Sequence, residues 1–212
     1  MGLNLKAESN DFEQLSSGES LGVCYRIVDL GTREEQYKDN PPKKRTLIHV
    51  TWETKDNLMS DGRPFAIGRS YTASLNENAT FYKDLVTWRG KPFSEEELKG
   101  VDVSKMLGAP ANLHIEHNEE GKARLKNIFK PDNFKKTETS NESFVFDLDV
   151  YCNEFNGNTS DETKAMCDIF EQLPEWQQNL IQDSYEYLAA SDSTKPVVED
   201  VVDPDFDDDI PF

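Results

Sequence analysis

The sequence predicts a mainly β fold with helices, and three features of the 212-residue chain support this prediction. β-Branched and aromatic runs recur between turn signals in residues 22–131, as strands require. One helical pattern follows the third run, and two more occur after residue 160. From residue 191 onward the chain is acidic and poor in core-forming residues, which predicts a disordered acidic tail.

The first three strand patterns cover residues 22–31, 45–54 and 65–75. In the second pattern, alternation places Ile48, Val50 and Trp52 on one face. Gly68 interrupts the third pattern and predicts a β-bulge.

A capped helix is predicted over residues 76–90, because Phe81, Leu85 and Trp88 recur at helical spacing before Gly90. Two alternating runs, 111–118 and 121–131, then form a predicted hairpin. Five strands with a helix between the third and fourth is the order of an OB-fold five-stranded barrel. A mixed α+β sheet remains an alternative, since it produces the same order.

Beyond the five strands, an additional strand is predicted at 144–151, and two helices at 161–173 and 175–190 separated by Pro174. The predicted organisation has four parts. They are a flexible N-terminal segment (1–20), an OB-fold domain (21–135), a strand and helical extension (136–190) and a disordered acidic tail with a docking tip (191–212).

The net charge of −18 is distributed unevenly along the chain. Residues 1–136 hold 21 basic and 21 acidic residues, whereas residues 137–212 hold 2 basic and 20 acidic ones. A nucleic-acid-binding body attached to an acidic tail is therefore compatible with the acidic total.

Localisation is predicted from what the sequence lacks. Three cysteines, an odd number without a C-x-x-C pair, indicate free thiols in a reducing compartment rather than zinc ligands. The chain has no apolar run of about 18 residues and no signal-peptide pattern, which predicts a cytoplasmic protein.

Basic residues on the fifth strand are the first candidate DNA-binding group. Lys122, Arg124, Lys126 and Lys130 recur at even spacing, so a regular strand places them on one face, about 6.6 Å apart per two residues. Such a row can follow the phosphates of a single strand without reading its sequence. The alternative is a solvated edge strand whose lysines prevent aggregation. Further basic candidates are Lys43, Lys44, Arg45, Arg69, Arg89 and Lys91.

Aromatic residues on the first three strands are the second candidate group, since bases stack on aromatic rings. Tyr71, beside Arg69, is the preferred candidate, whereas Trp88 is assigned to packing. The predicted stacking residues are Tyr25, Trp52, Phe65 and Tyr71.

Sequence motifs for catalysis are absent, which predicts a protein that is not an enzyme and has no metal or cofactor. A metal-dependent nuclease is the weakest alternative, because it relies on Asp147 and Asp149 sharing one face of a strand.

Two resemblances make the prediction specific. The segment DFDDDIPF (205–212) resembles the acidic C-terminal tip of bacterial single-stranded DNA-binding proteins. The segments GRPFAIGRSYTASL, WRGKPFSEEEL and LGAPANLHIEHNEEGKARLKNI resemble an OB-fold replication protein of tailed bacteriophages that binds single-stranded DNA, over residues 20–135. No Gly/Gln/Pro-rich linker precedes the tip, unlike in the bacterial proteins.

These resemblances imply a bacteriophage protein that binds single-stranded DNA largely without sequence preference during replication or recombination in the host cytoplasm. They also imply that replication and repair proteins dock on the tip residues Asp207, Asp208, Asp209, Ile210, Pro211 and Phe212. We expect a monomer in solution, with possible association along DNA. The alternative is an acidic decoy that occupies a host docking pocket without binding DNA.

Overall fold

A computed structural model describes residues 13–36, 41–133, 135–157 and 160–191. Within them, the protein is a mixed α/β structure around one six-stranded sheet. The strands are β1 (Gly18–Glu35), β2 (Lys43–Leu58), β3 (Pro64–Thr72), β4 (Pro110–His117), β5 (Ala123–Phe129) and β6 (Phe144–Phe146). The helices are α1 (Thr80–Arg89), α2 (Glu95–Leu98), α3 (Leu148–Cys152), α4 (Asp161–Gln172), α5 (Glu175–Gln182) and α6 (Tyr185–Ser191), with 3-10 turns at Val103–Met106 and Asn153–Asn156. The predicted order of three strands, a helix and two strands is observed.

The sheet has the strand order β3-β2-β1-β4-β5, and neighbouring strands in this order are antiparallel. β6 pairs in parallel with Arg26–Val28 of β1. The two outermost strands, β3 and β5, approach each other without forming a ladder. One hydrogen bond links them, from the Arg69 guanidinium to the Lys126 carbonyl at 3.1 Å. The sheet is therefore strongly curved but is not closed into a barrel.

The concave face of the sheet holds the larger core. Ile48, Val50 and Trp52 of β2 all face it, as the alternation predicted. The apolar side of α1 packs against them, with the Trp52 and Trp88 ring centroids 5.5 Å apart. The packing role predicted for Trp88 is confirmed, and its Nε1 donates a hydrogen bond to the Pro110 carbonyl at 2.7 Å.

Gly68 does not form the predicted bulge, because it pairs in regular register with Thr51 of β2. A Cβ atom at this position would lie 2.2 Å from Nε2 of His49. Glycine is therefore required by the close approach of the His49 ring. Bulges occur instead in β1, where the register against β2 shifts at Tyr25 and at Leu30.

The helix boundaries in residues 76–108 follow the local signals. α1 ends at Gly90, which has φ of 76°, a left-handed conformation that glycine adopts without strain. Ser94 and Glu97 form a capping box at the start of α2. Residues Val103–Met106 form a single 3-10 turn, capped by Asp102.

The convex face of the sheet carries a smaller core, formed with the C-terminal extension. Val28 and Leu30 of β1 pack there against β6, α3 and α5. The strand predicted over 144–151 is wrong beyond Phe146, because the Asp147 carboxylate caps α3 and turns the chain into a helix. The helix predicted over 175–190 is also interrupted, since α5 ends at Gln182 and α6 begins at Tyr185.

The ordered N-terminal part starts earlier than predicted. Gly18 already belongs to β1, and Leu15 is 4% exposed in the larger core. The Leu15 carbonyl also lies 2.8 Å from Nε2 of His117. Part of the predicted flexible segment 1–20 is thus tied to the sheet.

None of the described helices is long and apolar enough to cross a membrane. The predicted tail, apart from Ser191, and its docking tip lie outside the described residues.

Candidate nucleic-acid interface

β5 presents basic side chains on the convex face of the sheet. Arg124 and Lys126 are exposed, whereas Leu125, which lies between them, and Ile128, which follows them, are buried. The register against β4 shifts at Lys126, because His114 pairs with Asn127 and Ile115 pairs with Leu125. This bulge interrupts the even spacing that the sequence predicted. Lys122 lies before the strand in the β4–β5 turn, and Lys130 lies after it.

Two of these cations are paired with neighbouring carboxylates. The Lys122 ammonium lies 2.7 Å from the Glu120 carboxylate, and that of Lys126 lies 3.4 Å from Glu116. All four side chains are more than half exposed, so each pair contributes about 0–1 kcal/mol and a phosphate can compete for the cation. Arg124 forms no ion pair with any residue that the structure describes.

The basic surface continues to the C-terminal end of α1. A Cβ atom on Gly90 would lie 2.5 Å from Cδ of Lys130, which shows that the Lys130 side chain passes over this helix end. Lys91 follows Gly90 and is exposed. The exposed residues around β5 and this helix end are named the β5–α1 surface, and they are Lys91, Arg124, Lys126, Phe129 and Lys130.

Two arginines that the sequence analysis predicted to bind DNA, Arg69 and Arg89, instead form ion pairs with carboxylates of the protein. The Arg69 guanidinium lies 3.2 Å from the Asp84 carboxylate and also bonds β5, so it connects β3, α1 and β5. Arg89 pairs with Glu97 and lies 4.6 Å from the centre of the Phe93 ring. Its guanidinium holds the pKa of Glu97 down at about 2.

All four predicted stacking residues are in the core, which corrects that prediction. Tyr71 shows the reason: its ring packs 5.1 Å from Phe81, and its hydroxyl donates to Asp84 at 2.9 Å. Burial raises the pKa of Tyr71 well above its ordinary value. The exposed fractions are 7% for Tyr25, 1% for Trp52, 8% for Phe65 and 4% for Tyr71, so no base can stack on these rings in this structure.

Phe129 is the aromatic residue that the sequence interpretation missed. It is 41% exposed, pairs with Asn112 of β4, and shares the convex face with Arg124. Its face could not be assigned from alternation, because the bulge at Lys126 changes the phase of the strand. Leu125 and Ile128, the two apolar residues of the strand that are buried, are three residues apart. Regular alternation requires an even spacing, so this odd spacing was the sequence signal for the bulge.

The cluster Lys43, Lys44 and Arg45 is not brought to the β5–α1 surface. These residues pair with the C-terminal end of β1, whereas β4 pairs with its N-terminal end. Arg45 is 8% exposed and lies 3.9 Å from Glu35. The Lys44 ammonium lies 4.8 Å from the centre of the Tyr185 ring on α6. The cluster therefore borders the helical extension.

The extension covers the convex face of β1 and β2 through buried polar contacts. Glu53 is fully buried and accepts hydrogen bonds from the backbone amides of Ser140 (2.7 Å) and Asn141 (2.9 Å). Burial alone would raise the pKa of Glu53, but the Lys55 ammonium and these amides outweigh it and hold the pKa below its ordinary value. The chain between β5 and β6 is thereby fixed across β2.

Two ionisable groups on β1 and β2, both near the extension, have shifted pKa values. Burial raises the pKa of Asp29 to about 6, although the Gly31 amide bonded to it acts in the opposite direction. Burial lowers the pKa of His49 to about 4, and its Nδ1 lies 2.9 Å from the Ser70 hydroxyl. Trp176 of α5 packs edge-on against the His49 ring at 5.0 Å.

The carboxylates proposed for the nuclease alternative do not share a strand face. Asp147 caps α3 and Asp149 lies in the first turn of that helix. Across the described residues, no group of three or more His, Cys, Asp or Glu side chains is arranged to hold a metal ion.

No protein-family model matches the chain, and no curated protein sequence is significantly similar to it.

Proposed function

We propose that the chain is a single-stranded DNA-binding protein whose β5–α1 surface holds the strand. The observation that supports this most directly is the arrangement on β5. There, Arg124 and Lys126 are exposed beside the half-exposed ring of Phe129, on the same face of one strand. Cations for the phosphates and an aromatic ring for a base are the two components of a surface that binds single strands without sequence preference.

We further propose that the sheet and α1 form an OB fold. The strand order β3-β2-β1-β4-β5 and a helix placed between β3 and β4 in sequence are those of an OB barrel. α1 packs against both β3 and β5, and the Arg69 hydrogen bond links the same two strands where a barrel would close. A partly open barrel is common in this fold.

The C-terminal extension limits the part of the sheet on which single-stranded DNA can bind. It covers the convex face of β1 and β2, through Glu53 on one side and α5 and α6 on the other. Among the residues that the structure describes, the convex face of β4 and β5 is left exposed, with Asn112 and His114 partly exposed between β1 and β5. We therefore expect the single-stranded DNA to lie across β4 and β5 and to run towards the C-terminal end of α1.

The biological setting and the partners rest on the sequence resemblances. We propose action in phage DNA replication or recombination inside the bacterial host, as a protein that is not an enzyme. The acidic tip Asp207–Phe212 is proposed to recruit replication and repair proteins. Its aspartates suit a basic rim, and its Ile210 and Phe212 side chains suit an apolar pocket.

The test is retention of labelled oligo-dT and of duplex DNA on a filter, with and without magnesium. The proposal predicts retention of oligo-dT in both conditions and weaker retention of duplex. Retention of neither ligand would favour the decoy alternative. Shortening of the oligonucleotide with magnesium would favour a nuclease.

A matched pair of variants locates the site. Arg124→Glu should weaken oligo-dT binding by about tenfold or more, because it places a repulsive charge in the phosphate path. Lys164→Glu makes the same charge change on α4, where the lysine is 64% exposed, and should leave affinity almost unchanged. Equal effects of the two variants would show that only the net charge matters, and the proposed site would be wrong.

A further inference from the structure

A cavity of about 310 Å³ lies between the C-terminal end of α1, α2 and the 3-10 turn at Val103–Met106. Its floor is formed by the core residues Leu85, Trp88 and Met106, and the partly exposed Phe93 ring forms part of its wall. This volume is at the lower end of the range for small-molecule sites. The cavity therefore suits a compact and mainly apolar group.

Most of the charged groups that line the cavity are already paired with one another. Arg89 is paired with Glu97, and the Lys105 ammonium lies 3.6 Å from the Asp102 carboxylate. These pairs leave the interior without a charge that would select an ion. One donor remains, because the buried Nη1 of Arg89 has no acceptor among the described residues, although Nη2 bonds Glu97. The interior thus fits a neutral, apolar group that carries a hydrogen-bond acceptor.

The cavity lies at the same helix end as the β5–α1 surface. Arg89, which lines the cavity, directly precedes Gly90, and the Lys130 side chain passes over Gly90. Lys136 also lines the cavity, is exposed, and forms no ion pair with any residue that the structure describes. A phosphate beside the cavity can therefore be held by Lys136, while a neighbouring part of the same strand lies on the β5–α1 surface.

We propose that this cavity holds one unpaired nucleobase of the DNA strand bound on the β5–α1 surface. The base is neutral and planar, so it enters the apolar interior, and one of its acceptor atoms takes the hydrogen bond that Arg89 Nη1 offers. The phosphate next to this base meets Lys136. The inference rests on the proposed DNA-binding function and deepens it.

Such a pocket distinguishes single strands from duplex. A base in duplex DNA enters a pocket only after it leaves its stack and its pairing partner, which costs a few kcal/mol, whereas an unpaired base avoids most of this cost. A row of exposed cations alone attracts the phosphates of either form. The cavity therefore supplies a preference for single strands that the cations of β5 do not provide.

The experiment fills the cavity by substituting Gly100, which is part of its lining. A Cβ atom at Gly100 meets no heavy atom within 4 Å, and its φ lies outside the left-handed region, so Gly100→Leu is tolerated by the backbone. Anisotropy titration should show about tenfold weaker binding of labelled oligo-dT, because one base loses its site. Thr87→Leu adds the same side chain on an exposed position of α1 outside the lining and should leave affinity unchanged.

A strand of the same length built entirely of abasic nucleotides separates the pocket from the phosphate contacts. Gly100→Leu should bind this strand as tightly as the unmodified chain does, because the phosphates remain. Equal weakening towards both strands would show that the substitution acts on the phosphate path or on the fold, and would overturn the proposal.

Arg89→Lys is a second variant that does not fill the cavity. It keeps the positive charge beside Glu97 but lacks a second nitrogen for the base, so it should weaken oligo-dT binding about fivefold and leave the abasic strand unaffected. Unchanged oligo-dT affinity in both Gly100→Leu and Arg89→Lys would overturn the base pocket while DNA binding by the β5–α1 surface stands. Failure of the unmodified chain to bind oligo-dT would overturn the proposed function and the pocket together.

Discussion

The two halves of the convex face of the sheet use charged residues in opposite ways. On the covered half, over β1 and β2, Glu53 is buried beneath the segment that connects β5 and β6. On the open half, over β4 and β5, Arg124 and Lys126 are exposed. Buried carboxylates with several donors hold the fold together, whereas exposed cations in weak pairs remain available to a ligand. Whether a charged side chain is buried or exposed, rather than which residue it is, therefore decides whether it stabilises the fold or is available to bind a ligand.

This comparison requires that variants of the covered half change stability and leave DNA affinity unchanged. Variants of the open half should do the reverse. A variant that changes both properties strongly would break the division.

The largest effect on stability is expected for Glu53→Ala. The substitution leaves the amides of Ser140 and Asn141 without their acceptor and releases the segment from β2. The free energy of unfolding should fall by about 3 kcal/mol, measured by urea denaturation. Glu116→Ala, on the open half, should change it by less than about 0.5 kcal/mol. A similar loss in the free energy of unfolding for both variants would contradict the distinction between the covered and the open half of the sheet.

A smaller gain in stability is expected for Asp29→Asn, and it should depend on pH. The pKa of Asp29 in the folded protein, about 6, lies above its ordinary value of 3.8. Protonated Asp29 therefore contributes to the free energy of unfolding. This contribution is fully present below pH 3.8 and is lost as the pH rises through 6. At pH 8 the asparagine variant should be more stable by about 2 kcal/mol, and at pH 3.5 the difference should vanish.

His49 produces the opposite pH dependence in the same region of the molecule. Its pKa is lowered from 6.5 to about 4, so its contribution to stability is present above pH 6.5 and is lost as the pH falls towards 4. The two contributions offset each other in the unmodified protein between pH 4 and 6. Melting curves of Asp29→Asn across this range should therefore reveal the His49 contribution as a loss of stability on acidification. A melting temperature independent of pH in this variant would contradict the assignment.

The smallest effect is expected on the open half, for Phe129→Ala. The ring is 41% exposed, so its loss should weaken oligo-dT binding by about 1 kcal/mol, the low end for stacking on one base. Phe155→Ala removes a ring of similar exposure, 40%, from the extension and serves as the control in the same titration. Unchanged affinity of Phe129→Ala would exclude stacking at this position.

Most of the fold followed from local patterns in the sequence. Alternation in β2 and the helical spacing of Phe81, Leu85 and Trp88 gave the correct core faces, because both elements are regular. The strand predicted over 144–151 failed because Asp147, read as a strand residue, is a helix cap. A cap and an alternating polar residue are difficult to distinguish in so short a segment.

The candidate site was less predictable, because long-range packing decides which residues stay exposed. Arg69 carries the right charge for DNA, but Asp84 of α1 holds it, and this contact is not visible in the local sequence. Tyr71 is buried by the same helix. Phe129 was missed because one bulge at Lys126 changed the face to which the following residues belong.

The most direct test of the proposed division is the salt dependence of oligo-dT binding by Arg124→Ala/Lys126→Ala. If both cations contact phosphates, the slope of log affinity against log salt should become shallower by about 1.4, which is about 0.7 for each lost single-strand phosphate contact. The free energy of unfolding should stay within about 1 kcal/mol of the unmodified value, because both side chains are exposed. An unchanged slope would contradict the account, since the open half of the sheet would then not be the surface that holds DNA.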